Sequence, residues 1–424
     1  MKSQTFKYAQ ALTKERLPFI PVQSILPHFC EGRSLFFRDT KTKISENTSR
    51  LFQKRQSKNT AKIGHANFLS SSLVFSRTNS CAVNKMKTIK LATSGQEMPM
   101  VGLGTWRAQP HEMENAVNVA LECDYRHIDT AFNYNTEEAI GNVLKNWLGS
   151  GRVKRNELFI TTKLPNFGGR PSDVERFLKL SLKKLNLDYV DLYLIHMPFS
   201  FQLNECSLSP LVNDDGSFAL DPVDYLDTWK VMEEQVRMGR IKAIGVSNFN
   251  AEQLERLYDN ADIKPDVLQV EMHAYLQQRE LRAVCQRLHV AVTAYSPLGS
   301  PGANTHFSSK YQYSLDDFPD ILGHPTVREV AQKYEKTPGQ ILLKHLIQEG
   351  VIVIPKSGNP ERIKSNISLF DFELALQDVE QLDQLDRGEN GRIFNFLFFK
   401  GVENHPYYPF KSKESNSSSP TECS

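Results

Sequence analysis

The chain has 424 residues, 40% hydrophobic and 24% charged, a composition that excludes a fibrous or wholly disordered protein and leaves ample length for a large core. Its net charge of +2 conceals an asymmetry: residues 1–85 hold 15 Lys+Arg against 4 Asp+Glu and the remainder 36 against 45, so the body does not read as a nucleic-acid binder. The six cysteines are scattered without CxxC spacing, which argues for free thiols in a reducing compartment and against a zinc or dithiol site, so no metal is expected.

Residues 1–85 are rich in Lys, Arg, Ser and Asn and show no sustained period. Three readings stay open: a disordered extension, a transit-like leader, or upstream sequence ahead of a true start at Met86. The best N-terminal apolar stretch, Leu17 to Cys30, is broken by Pro18, Pro21 and Pro27, and no run approaches the roughly 18 to 20 residues a membrane span needs. Neither a transmembrane helix nor a secretory signal is expected. The location that follows is cytoplasmic, or mitochondrial if the leader is a real transit segment.

From Met86 the texture changes. Thr88–Leu91 and Glu97–Pro99 flank Ser94-Gly95 and predict a short hairpin. Beyond it come eight short apolar runs: Met100–Gly104, Tyr125–Ile128, Leu158–Thr162, Val190–Ile195, Lys242–Val246, Val267–Val270, Val290–Ala294 and Val351–Ile354. Between them, helical periodicity is most legible at Glu112–Cys123, Glu137–Trp147, Asp173–Leu185, Tyr225–Met238, Ala251–Asn260 and Arg279–Leu288. Short Val/Ile/Leu runs separated by helices argue for a parallel sheet covered on its outside, and eight such units suit a closed (β/α)8 TIM barrel over residues 86–410, followed by a polar tail at 411–424. An open doubly wound sheet is the alternative. Its G-x-G-x-x-G turn is lacking, because Gly102-Leu103-Gly104-Thr105-Trp106-Arg107 has no third glycine.

Polar or aromatic side chains close or follow every run: Trp106, Asp129, Lys163, His196, Ser247-Asn248, Gln269 with Glu271, Tyr295-Ser296 and Lys356-Ser357. Any one of them has an ordinary structural reading; a histidine after an apolar run is more often a hydrogen-bonded core residue than a catalyst, and an aspartate there is an ordinary turn-former. In a parallel barrel, however, all C-terminal strand ends share one face, so these residues converge on one bowl. Asp129, Tyr134, Lys163 and His196 make chemical sense together. A lysine ammonium beside a phenol is expected to lower its pKa from about 10 toward the working pH, with Asp129 holding Lys163 in place. Tyr134 then serves as proton donor and His196 orients the substrate oxygen. Protonating a carbonyl oxygen as hydride reaches its carbon needs a hydride source that no side chain provides, which implies a nicotinamide cofactor.

These segments closely resemble the aldo-keto reductase superfamily, near the branch of aldose reductase and 1,5-anhydro-D-fructose reductase. The motifs are GLGTW at Gly102–Trp106, DTAFNYNTEEAIG at Asp129–Gly141, ITTKL ending at Leu164, LIHMP around His196, GVSNF at Gly245–Phe249, YSPLGS at Tyr295–Ser300 and IPKSGNPERIKSN at Ile354–Asn366. The resemblance spans essentially Met86 to Phe410. It implies that Asp129, Tyr134, Lys163 and His196 form the catalytic tetrad, that Ser247, Asn248 and Gln269 bind the nicotinamide carboxamide, and that Tyr295 stacks on its ring. It further implies a pyrophosphate loop at Ser296, Leu298 and Ser300, and an adenosine 2′-phosphate site at Lys356, Ser357, Asn359 and Arg362 with Asn366 near the adenine. Two cations beside small polar residues suit a dianionic phosphate and point to NADPH/NADP+ over NADH.

Substrate-facing candidates are Trp106, Phe132, Phe167, Met197 and Phe201, with Phe394, Phe396, Phe398, Phe399, Tyr407 and Tyr408 in the tail. About half of the tail aromatics are expected to pack it onto the barrel, since so many would be odd on a bare surface. The resemblance implies that this tail closes over the pocket and that Phe199–Asp221 is a substrate loop. Many members of the superfamily have Trp where this chain has Met197, and some where it has Pro165, so a narrow aldose-reductase-like specificity is not implied. The reading is a monomeric carbonyl reductase, an alditol:NADP+-type oxidoreductase, whose partner is a small carbonyl compound rather than nucleic acid or membrane. The alternatives are a ketosteroid or ecdysteroid reductase and, in another class, a non-catalytic NADPH-binding barrel.

Overall fold

The structure is a computed structural model, and it describes residues 86–303, 307 and 318–410. The expectations for residues 1–85 and for the tail 411–424 lie outside the described residues. A hairpin of β1 (Thr88–Lys90) and β2 (Glu97–Pro99) opens this part of the chain, with Gly95 at φ 69° in its turn.

Eight parallel strands follow in one sheet: β3 (Leu103–Gly104), β4 (His127–Asp129), β5 (Phe159–Leu164), β6 (Val190–Ile195), β11 (Ile241–Ser247), β12 (Val267–Glu271), β13 (Ala291–Tyr295) and β14 (Ile352–Val353). Strands β7 (Ser200–Phe201), β8 (Leu203–Asn204), β9 (Ser209–Pro210) and β10 (Leu220–Asp221) belong to the long loop after β6, as two antiparallel pairs. The first and last strands of the sheet meet through bridges between Val101 and Val353 and between Gly104 and Lys356, so the sheet closes as a (β/α)8 barrel. Gly102 N donates to Val353 O at 2.9 Å and Val353 N to Met100 O at 2.9 Å across that seam. Gly104 is needed there, because a Cβ would run into the Ile354 carbonyl oxygen.

The helices form for local reasons. Pro171 stands at the start of Pro171–Leu185, whose Val174, Phe177, Leu178, Leu182 and Leu185 make one buried face at helical spacing. Burial of a side chain such as Phe177 contributes about 2–3 kcal/mol. Asn250 and Gln253 cap Ala251–Asn260 reciprocally. Helix Glu137–Gly149 approaches Pro171–Leu185 so closely that a Cβ at Gly141 would collide with the Lys184 carbonyl oxygen.

Among the described residues, four helices beyond the six legible in the sequence are present: Pro325–Lys333, Pro338–Gln348, Pro360–Ile367 and Leu376–Asp383. Three of them begin on a proline, a start signal that the periodicity reading left unused. Five of the barrel strands end further along than their apolar runs. Asp129, Lys163, Ser247, Glu271 and Tyr295 lie inside strands rather than after them, because the backbone ladder continues where the side chains turn polar.

Candidate active site

At the C-terminal mouth of the barrel the ladder fixes which side chains meet. Register pairs Gly104 with Asp129, Asp129 with Thr161, Lys163 with Leu194, and Ser247 with Gln269. Lys163 Nζ, fully buried, donates to Asp129 Oδ1 at 2.5 Å, to the Thr130 carbonyl at 2.9 Å and to the Tyr134 hydroxyl at 3.4 Å. The second Asp129 oxygen accepts from Gln269 Nε2 at 2.7 Å. Tyr134 sits in the turn Phe132–Tyr134, and its ring meets that of His196 edge-on at 5.6 Å.

The electrostatics correct one expectation. Burial, reinforced by the Asp129 charge, pushes the Tyr134 hydroxyl well above its ordinary pKa of 10 rather than toward neutrality. Lys163 is nearer to Asp129 than to the phenol, so its charge is answered there; burial lowers the Lys163 pKa, and the Asp129 charge and hydrogen bond act against that. Burial, followed by the Lys163 charge, drives His196 well below 6.5, which keeps its imidazole neutral. Among the described residues, the buried His196 Nδ1 has no hydrogen-bond partner. The arrangement therefore holds a protonated phenol, a neutral imidazole and a cation side by side.

One cavity of about 1650 Å³ is lined by Tyr134, His196 and Asp129 as well as by Lys356, Ser357, Asn359, Arg362 and Asn366. Between these groups its lining includes Ser247, Asn248, Gln269, Tyr295, Ser296, Leu298 and Ser300, so all twelve residues expected at a dinucleotide share it. Tyr295 donates to Asn248 Oδ1 at 2.8 Å, and Asn248 Nδ2 donates to the His196 carbonyl at 2.9 Å, which ties the ring to the strand ends. Ser296, Gly299 and Ser300 adopt positive φ, and Ser300 Oγ donates to Ser296 Oγ at 2.6 Å. Further along, Asn359 N donates to Ser357 Oγ at 3.1 Å, and Arg362 Nε to the same oxygen at 3.4 Å. Lys356 Nζ lies 3.3 Å from Glu112 Oε1. An aromatic ring with amides at one end and two exposed cations with two small polar residues at the other is a donor set that fits a dinucleotide phosphate.

The remaining expected positions divide. Trp106, Phe132, Phe167, Met197 and Phe396 line the cavity. Phe201 does not: β7 pairs with β10, and its ring packs against Phe218 at 5.0 Å and Phe399 at 5.3 Å, buried under the loop. Of the tail aromatics, Phe394, Phe396, Phe398 and Phe399 line the cavity. Tyr407 instead packs on Tyr225, and the Tyr408 hydroxyl donates to the Asn395 carbonyl. The sequence reading missed what seats this tail. Glu271, fully buried, accepts from Ile393 N at 2.7 Å and Phe394 N at 2.9 Å, which sets the Phe394 ring edge-on to Trp106 at 5.7 Å. A carboxylate ending an apolar strand was the available signal, but its partners lie more than 120 residues away in sequence. Asn133, inside the DTAFNYNTEEAIG motif but given no role there, and Asn166, outside every motif, are hydrogen-bonded at 3.2 Å and also line the cavity.

Comparison with known proteins gives the family of the chain. The family description "Aldo/keto reductase family" matches residues 100–387. The chain is 43% identical over 324 residues to aldo-keto reductase family 1 member A1 of Gallus gallus, covering 75% of this chain and 95% of that one. It is 42% identical over 327 residues to the Homo sapiens member A1, covering 76% and 97%. Among solved structures it is similar to the aldose reductase of Schistosoma japonicum, with TM-score 0.69, 38% identity and 77% and 100% of the two chains covered. It is also similar to a Bombyx mori aldo-keto reductase in complex with NADP, with TM-score 0.66, 38% identity and 77% and 99% covered. The chain belongs to the aldo/keto reductase family of NADP-dependent oxidoreductases.

Proposed function

We propose that this chain reduces aldehydes or ketones to alcohols with NADPH, Tyr134 giving its proton to the carbonyl oxygen. The observation that carries the reading is the single buried ammonium of Lys163 shared among Asp129, the Thr130 carbonyl and the Tyr134 hydroxyl. When bound, the dinucleotide supplies hydride to the carbonyl carbon. Tyr134 enters the reaction protonated, since burial disfavours its anion. His196, neutral and beside the Tyr134 ring, hydrogen-bonds the same oxygen and fixes its approach. As the proton leaves, the phenolate forms 3.4 Å from Lys163, so the cation acts on the state that develops rather than on the resting phenol.

The pocket above these groups is an aromatic wall of Trp106, Phe167, Phe394 and Phe396 with Met197, which suits a carbonyl compound with an apolar body. Ser247, Asn248, Gln269 and Tyr295 would hold the nicotinamide, Ser296, Leu298 and Ser300 the pyrophosphate, and Lys356, Ser357, Asn359 and Arg362 the 2′-phosphate, with Asn366 by the adenine. A monomer in the cytoplasm completes the reading; among the described residues no helix is long and apolar enough to cross a membrane.

The test is Tyr134→Phe with NADPH and a generic aldehyde. Turnover is expected to fall by about 10²–10⁴, the usual contribution of general acid catalysis, while the Kd for NADPH stays within a factor of about two. Unchanged turnover would remove Tyr134 as the acid. Absent turnover in the unsubstituted chain, despite cofactor binding, would favour a non-catalytic barrel.

A further inference from the structure

Glu112 stands in the first turn of helix Pro110–Glu122 and lines the same cavity as Lys356, Ser357, Gly358, Asn359 and Arg362. Its carboxylate lies 3.3 Å from Lys356 Nζ, with side chains 37% and 35% exposed. Gly358 leaves the space it occupies, since a Cβ there would collide with the Glu112 carboxylate. A first-turn acid complements the helix dipole wherever it points, so that role does not explain why this one crosses to a loop 244 residues further along the chain. Among the described residues, Glu112 is the one acid paired with Lys356.

We propose that Glu112 is a specificity-determining residue of the dinucleotide site: its carboxylate serves as an internal counter-ion for Lys356 that the 2′-phosphate of NADPH must displace. This rests on the reading that Lys356, Ser357, Asn359 and Arg362 receive that phosphate. A carboxylate in contact with the receiving cation opposes a dianion twice, by occupying the donor and by repelling the incoming charge. NADH carries no phosphate there and is nearly indifferent to it. Glu112 therefore narrows the preference for NADPH and loosens its grip on the phosphate end.

The experiment measures Kd for NADPH and NADH by quenching of intrinsic fluorescence, at low and high salt, in the full chain and in its Glu112→Gln, Glu112→Ala, Glu361→Gln and Lys356→Ala variants. Glu112→Gln and Glu112→Ala are each expected to tighten NADPH by about two- to fivefold, the range of a partly exposed charge pair, with NADH changed far less and the gain shrinking at high salt. Unchanged NADPH affinity in both variants, while Lys356→Ala weakens NADPH selectively, would overturn the role of Glu112 and leave the phosphate site standing. Equal tightening by Glu361→Gln, which removes a charge from the same cavity lining, would reduce the effect to bulk charge and also overturn it. Lys356→Ala acting equally on both dinucleotides would sink the phosphate site and the Glu112 role with it.

Discussion

At the strand end of the cavity, Lys163 and Asp129 are 0% and 3% exposed and every polar atom of the pair has a partner, whereas at the far end Lys356 and Glu112 share one contact and are each about a third exposed. The first arrangement is fixed by neighbouring strands whose register allows no slip without turning every side chain to the other face. The second joins a helix start to a loop. The contrast separates positioning from recognition: a proton must be delivered along one path, so its groups are buried and fully engaged, while a phosphate has to arrive from solvent and leave again.

Lys163→Met gives the sharpest break of that contrast. It leaves Asp129 buried with Gln269 as its remaining polar partner, and loss of one partner of a buried pair costs about 3–5 kcal/mol. Turnover should fall at least as far as in Tyr134→Phe. Lys356→Met, made at the exposed end, should cost less than about 1 kcal/mol by urea unfolding. Equal losses of stability at the two ends would erase the distinction.

The next effect comes from buried histidines around the barrel strands. Burial lowers the pKa of His127 from 6.5 to about 4, and that of His196 in the same direction. Between pH 6.5 and about 4 the unfolded chain binds a proton at His127 that the folded chain refuses, so this contribution to stability is complete above 6.5 and is lost as the pH falls. The loss approaches about 3 kcal/mol for His127 over that window, at about 1.4 kcal/mol per pH unit. Several buried carboxylates, Asp191 and Glu137 among them, are raised and act with the opposite sign, so the measurement is a difference. Urea unfolding of His127→Gln and of the unsubstituted chain should show the variant less sensitive to acid; parallel pH profiles would refute this account of His127.

Much of the strand end was legible because most of the functional residues stand at or just beyond the end of an apolar run, even where the backbone ladder continues past the run. Val190–Ile195 and Ala251–Asn260 were read to the residue: the strand is wholly buried, and the helix opens on a reciprocal Asn250–Gln253 cap. What could not be read were partnerships across the barrel. Gln269 reaches Asp129 over 140 residues, and Glu271 collects the tail amides over 122 and 123, distances at which no local period carries information. Phe201 was misplaced for a different reason. Its composition suits a pocket, but a two-residue pairing of β7 with β10 decides its direction, and that register is set by the loop as a whole. The direction of the Tyr134 pKa failed similarly: a nearby lysine is visible in sequence, the completeness of its burial is not.

The smallest effect belongs to the exposed end and sharpens the comparison most. Arg362 is exposed, lines the cavity, and donates from Nε to Ser357 Oγ at 3.4 Å, a long and weak tether. Arg362→Ala should therefore leave the folded state almost untouched. Its loss should appear in the dinucleotide instead, as about a tenfold weaker Kd for NADPH, or ~1.4 kcal/mol, with NADH changed by less than about twofold. Because the side chain is in solvent, the difference between the two cofactors should shrink as salt is added. Equal weakening of NADPH and NADH would mean that Arg362 contacts a part the two share, and the phosphate would then have to be received elsewhere along the cavity.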